Sequence, residues 1–82
     1  MKKIYKFRVI LSVKNYNEGE LYEREINRIL KDYGEEVWIA TAGLLSSNTM
    51  SVNVMVLTTD STLGDIKSDI ANTTGFEIKE GY

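Results

Sequence analysis

The amino-acid sequence predicts an α+β domain of element order β-α-β-β-α-β. Three observations carry this: period-two alternation with one apolar face near the start, two amphipathic helical stretches each followed by a glycine, and two strand-like runs around a short polar turn. All 82 residues read as one domain, with no linker, repeat or low-complexity tract.

The first strand is expected from Tyr5 to Val13. Tyr5, Phe7, Val9, Leu11 and Val13 fall on one side, while Lys6, Arg8, Ser12 and Lys14 fall on the other. Such period-two patterning suits a strand with one buried face. Asn15-Tyr16-Asn17 ends it.

A helix follows, with Asn17 as the expected cap and Glu20 three residues on in the capping-box position. Its apolar stripe is Tyr22, Ile26, Ile29, Leu30 and Tyr33, a single helical face. Glu20, Glu23, Arg24, Asn27, Arg28, Lys31 and Asp32 occupy the other faces. Glu20–Arg24 and Arg28–Asp32 are spaced for i,i+4 pairing. Gly34 stands where a helix stop takes a left-handed backbone.

Val37 to Leu45 is apolar with little alternation, and its β-formers Val37, Trp38, Ile39 and Thr41 favour a second strand. Gly43 fits a bulge or a close approach within it. Ser46-Ser47-Asn48 reads as a turn. Ser51 to Thr58 alternates again, with Val52, Val54 and Val56 opposite Ser51, Asn53, Met55 and Leu57. Together the two runs make an antiparallel hairpin.

The second helix is expected to start near Asp60-Ser61-Thr62, where Thr62 and Asp65 repeat the capping-box spacing. Leu63, Ile66 and Ile70 form its stripe and Gly75 its stop. Gly64 and Thr73-Thr74 weaken it relative to the first. Phe76 to Lys79 alternates as a short last strand. This order is that of the ferredoxin-like plait, a four-stranded antiparallel sheet in the order 4-1-3-2 with both helices on one face.

Composition narrows the function. The chain has no histidine, cysteine or proline. The side chains that most often perform acid–base, nucleophilic or transition-metal chemistry near neutral pH are therefore missing. Asp60, Asp65 and Asp69 are the nearest thing to a metal cluster, but no loop has the oxygen-ligand spacing of a calcium site. Helix capping explains Asp60 and Asp65. The glycines form no phosphate-binding pattern. The expectation is a protein that is not an enzyme and takes no cofactor or metal.

A net charge of −2 argues against broad phosphate binding. Lys6 and Arg8 interrupt the apolar stretch near the start, which removes any signal-peptide core, and no run is long enough to span a membrane. The expected location is the cytoplasm.

If the helices cover the face bearing Phe7, Val9, Val54 and Val56, the open face carries Ile4, Lys6, Arg8, Ile10, Asn53, Met55, Leu57, Glu77 and Lys79. Strand two is ambiguous in register. With Val37 and Ile39 inward, Trp38, Ala40, Ala42 and Leu44 join the open face; a one-residue slip reverses this. Apolar area of this kind on a small domain marks an interface, for self-association as a homodimer or for a heterologous protein. The candidate partner-binding residues are Trp38, Met55, Ile10 and Leu57, with Lys6 and Arg8 among them.

The favoured functional expectation is a non-catalytic protein that regulates or inhibits a macromolecular partner by protein–protein contacts. Its Lys-, Asn-, Ile- and Tyr-rich composition suits an AT-rich bacterial or phage genome. One concrete form is a phage or mobile-element antagonist of a host defence factor. The alternative is a nucleic-acid-binding or nuclease-associated module using Lys6, Arg8 and Lys14. Against it, the exposed positions of strands one and three hold Lys6, Arg8, Asn53 and Met55, where RNA-recognition domains place base-stacking aromatics.

Overall fold

The computed structural model describes residues 1–46 and 48–81, with only the backbone described for Tyr16 and for residues 41–46. The elements are β1 (Lys3–Ser12), α1 (Tyr16–Asp32), β2 (Glu36–Ser46), β3 (Thr49–Thr58), α2 (Asp60–Thr74) and β4 (Glu77–Glu80). They form the expected ferredoxin-like plait. The four-stranded sheet runs β2-β3-β1-β4, which is 4-1-3-2 read from the other edge, and every pairing is antiparallel.

Alternation in the sequence becomes the two faces of this sheet. Phe7, Val9 and Leu11 of β1 and Met50, Val52, Val54 and Val56 of β3 are fully buried. They meet Ile26, Ile29 and Leu30 from α1 and Leu63, Ile66 and Ile70 from α2. Both helices therefore cover one face, and the core lies between them and the sheet. At its margins Tyr22 packs edge-to-face on Phe76, with ring centroids 4.8 Å apart. The Lys67 ammonium sits 5.7 Å from the Phe7 ring centroid and also bonds Glu80 of β4.

The register of β2 is settled by its pairing. Val37 lies opposite Val56 and Ile39 opposite Val54, while Trp38 lies opposite Met55 and Ala40 opposite Asn53. Val37 and Ile39 thus turn to the core, and Trp38 and Ala40 to the open face. Beyond Thr41 the register shifts, so that Leu44 pairs with Met50 and Ser46 with Thr49. This is where Gly43 predicts a bulge. The expectation that Ala42 and Leu44 share Trp38's face concerns side chains outside those described, as does the Ser47 position of the turn.

The helix starts differ from the sequence reading. Asn15 rather than Asn17 caps α1: its backbone is extended, and its side chain accepts from the Glu18 N–H at 2.9 Å. The chain has two asparagines in reach. The first takes the role because β1 has ended at Ser12 and the Val13 N–H is already bonded to the Asn48 carbonyl at 2.9 Å. In α2 the cap is Thr59, whose hydroxyl accepts from the Thr62 N–H at 3.3 Å. β3 runs to Thr58, so the helix begins at once after it. At the far ends the glycine stops hold, with Gly34 at φ +70 and Gly75 at φ +74.

Candidate protein-binding face

The helix-free face is a grid set by the three ladders that join β2, β3, β1 and β4. One row holds Glu36, Leu57 and Ile4; the next holds Trp38, Met55 and Lys6. A third holds Ala40, Asn53, Arg8 and Lys79, and a fourth Ser51, Ile10 and Glu77. Successive rows are about 6.6 Å apart, two residues of strand rise.

The grid sorts the sequence candidates. Trp38 and Met55 are direct cross-strand neighbours, and Leu57 lies one row away beside Ile4. Those four make a contiguous apolar corner, with Trp38 47% and Ile4 57% exposed and Met55 and Leu57 half-buried beside them. Ile10 does not belong to it. The Arg8–Asn53 row separates Ile10 from Met55, by about 13 Å along the sheet. Ile4 belongs to the same face by parity, and its exposure makes it a member of the corner that alternation alone did not single out. Leu21, on α1, is also exposed but stands away from this face.

The corner is bounded by charge. Glu36 and Lys6 flank it within its own rows. At its end, Lys2 donates to Glu35 at 2.9 Å. That hydrogen bond holds the Glu35 carboxyl below the usual carboxylate range.

The third row is cationic. Arg8 sits directly opposite Lys79, a like-charge placement that is mildly unfavourable unless something negative is near. Glu77 lies 3.7 Å from the Lys79 ammonium and partly answers it. The Arg8 Nε is buried and has no hydrogen-bond partner among the described residues. Lys6 adjoins this row from the apolar corner, so the six sequence candidates divide into an apolar group, a basic pair and the outlying Ile10.

Elsewhere the acidic residues serve structure. Asp69 accepts from the Tyr33 hydroxyl, which also lies 3.2 Å from the Asp65 carbonyl oxygen. This pushes the Tyr33 phenol up to about 12, first through the hydrogen bond, then through burial and the charges of Asp69 and Asp65. On α1, Arg28 pairs with Glu25 and lies 3.7 Å from Asp32, whereas the expected Glu20–Arg24 pair is not among the ion pairs formed by the described residues. No group of three or more acidic residues among the described residues is arranged to hold a metal ion, and no described helix is long and apolar enough to cross a membrane.

The fold and this face define a small ferredoxin-like α+β domain with an uncovered sheet. No protein-family model and no curated protein sequence matches the chain. Among solved structures it is similar to an uncharacterized protein from Thermotoga maritima, with a TM-score of 0.69 at 15% identity over 96% of this chain and 94% of that one. It is also similar to the de novo designed protein Ferredog-Diesel, with a TM-score of 0.58 at 14% identity over 96% of this chain and 84% of the design. At these identities the likeness is one of fold.

Proposed function

We propose that this protein binds another protein through the corner formed by Ile4, Trp38, Met55 and Leu57, and acts by occluding or regulating that partner without a catalytic step of its own. The observation that carries the reading is Trp38, 47% exposed beside Met55 on a face no helix covers. At that exposure nearly half of the indole is still open to water, and aromatic and methionine side chains are enriched where interfaces are driest. Lys6 and Glu36 at the margin supply a charged rim that sets orientation. A phage or mobile-element antagonist of a host defence factor is the concrete form that size and composition suggest.

The test is an affinity capture from bacterial lysate, divided into nuclease-treated and untreated halves. A protein retained in stoichiometric amount after nuclease, and lost with Trp38→Ala, supports the reading. Trp38→Ala is expected to weaken the complex by about 2 kcal/mol or more, the loss typical of a central anchor. A complex of undiminished strength removes Trp38 from the account.

A second reading rests on the cationic row. Lys6, Arg8 and Lys79 share one face, and a strand of phosphates would answer the Arg8–Lys79 juxtaposition. Here retention disappears with nuclease, and changing Lys6 and Arg8 together to Glu abolishes it.

A further inference from the structure

β2 and β4 are the two edges of the sheet, and their chemistry differs. β4 has four residues, of which Glu77, Lys79 and Glu80 are charged, and Lys67 reaches over to bond Glu80. It is a short, guarded edge. β2 has eleven residues without proline, and its one charged residue is Glu36 at the very start. Proteins ordinarily blunt an edge of that length with lysine, proline or brevity, because its unpaired N–H and C=O groups template another strand. β2 has none of these devices up to its bulge.

We propose that β2 pairs antiparallel with β2 of a second copy of this chain, about a twofold axis at Ile39, to give a continuous sheet of twice the four strands. Regular pairing of β2 with β3 runs from Glu36 to Thr41 before the register shifts, so Ile39 lies near the middle of the usable stretch. An axis there puts Trp38 of one copy opposite Ala40 of the other, a large side chain against a small one. Odd positions meet odd and even meet even, so the helices of both copies stay on one side of the joined sheet.

Helix α1 supplies the reason for choosing a second copy over a foreign strand. It packs beside β2, while α2 packs beside β4. Tyr33 and Tyr22 mark the side of α1 turned to α2 and Phe76. Glu20 and Lys31 lie about 140–160° round the helix from Tyr33, away from α2. Both are exposed, and neither forms an ion pair among the described residues. A twofold axis runs the two α1 helices antiparallel, bringing Glu20 of each copy toward Lys31 of the other. The heights agree. The midpoint of Glu20 and Lys31 is about 10 Å along α1 from Asp32, and Ile39 is about 10 Å along β2 from Glu36, which starts beside that helix end. One axis therefore satisfies strand and helix together, as an isologous interface requires.

The proposal concerns the edge and is measured on the protein alone, so its failure leaves the partner-binding face untouched. Sedimentation equilibrium over a concentration series, with circular dichroism to verify folding, tests it. The wild type should dimerise. Ala40→Glu, at an exposed position, would set a carboxylate against the partner copy's Trp38 and place the two glutamates on a diagonal about 7–8 Å apart across the axis, and it should abolish the dimer. Lys31→Glu should weaken it about tenfold, and adding Glu20→Lys to Lys31→Glu should restore it. A wild type that stays monomeric to millimolar concentration overturns the proposal. So does a dimer indifferent to Ala40→Glu, or a charge swap that brings no recovery.

Discussion

The Tyr33 hydroxyl at the end of α1 donates its hydrogen bond to the Asp69 carboxylate on α2, joining the two helices on the side of the sheet opposite Trp38. With Tyr22 against Phe76 at 4.8 Å, it closes the helical layer at its margin. The helical layer is thus held by specific contacts, while neither helix covers the sheet's other face among the described residues.

That hydrogen bond fixes a pH dependence. The phenol's value is raised from 10.0 to about 12 in the folded protein. Because the folded value lies above the unfolded one, the stabilisation is complete below pH 10.0 and is lost as pH rises toward about 12. In a phenolate absorbance titration, Tyr33→Phe should delete a step near pH 12, and Asp69→Asn should move that step to lower pH. A Tyr33 step unmoved by Asp69→Asn would mean that the carboxylate does not govern the phenol.

A second prediction concerns Gly19, buried in the first turns of α1. A Cβ built there would lie 2.1 Å from Met50 Sδ, and Met50 is itself fully buried. Replacing glycine by alanine inside a helix gains up to about 1 kcal/mol in propensity. Forcing a methyl into a filled core costs about 1–3 kcal/mol. Gly19→Ala should therefore destabilise by about 1 kcal/mol in urea denaturation. In a Met50→Val background, which removes the sulfur, the same change should become neutral or stabilising.

The same substitution has opposite signs at two places in and after α2. A methyl placed on Gly64 or on Gly75 would meet no atom within 4 Å, so packing is not at issue. Gly64 is within the helix, and Gly64→Ala should stabilise by about 0.5–1 kcal/mol. Gly75 is at φ +74 with its N–H on the Ala71 carbonyl at 2.8 Å. A side chain there meets its own backbone, and Gly75→Ala should cost about 1–2 kcal/mol. Thermal unfolding of the two variants should move in opposite directions.

These contrasts show which parts of the molecule were legible in the sequence. Strand parity in β1 and β3 and the stripes of both helices are local patterns, and they placed Phe7, Val54, Ile26 and Ile66 in the core correctly. The register of β2 was not legible, because Val37 to Leu45 is apolar on both sides; only pairing with β3 exposes Trp38. The caps slipped to Asn15 and Thr59 because each lies beside a second residue able to cap, and the strand end decides between them. The separation of Ile10 from Trp38, and the Tyr33–Asp69 bond across 36 residues, depend on which strands and helices become neighbours. No spacing in the chain encodes those contacts directly.

Trp38 is the chain's one tryptophan, so its fluorescence reports directly on the open face. At 47% exposure it should emit to the red of a core tryptophan and be readily quenched by acrylamide. A protein seated on the corner of Ile4, Trp38, Met55 and Leu57 removes water from the indole, so titration with a captured partner should shift emission to the blue and protect it from quenching. Trp38→Phe should keep the fold, since its cross-strand contact with Met55 is worth only about 0.2–1 kcal/mol. Phe7→Ala, fully buried on the other face, should instead cost about 3–5 kcal/mol. If a bound partner leaves the indole as quenchable as before, the corner is not where it binds, and the cationic row of Arg8 and Lys79 becomes the surface to test.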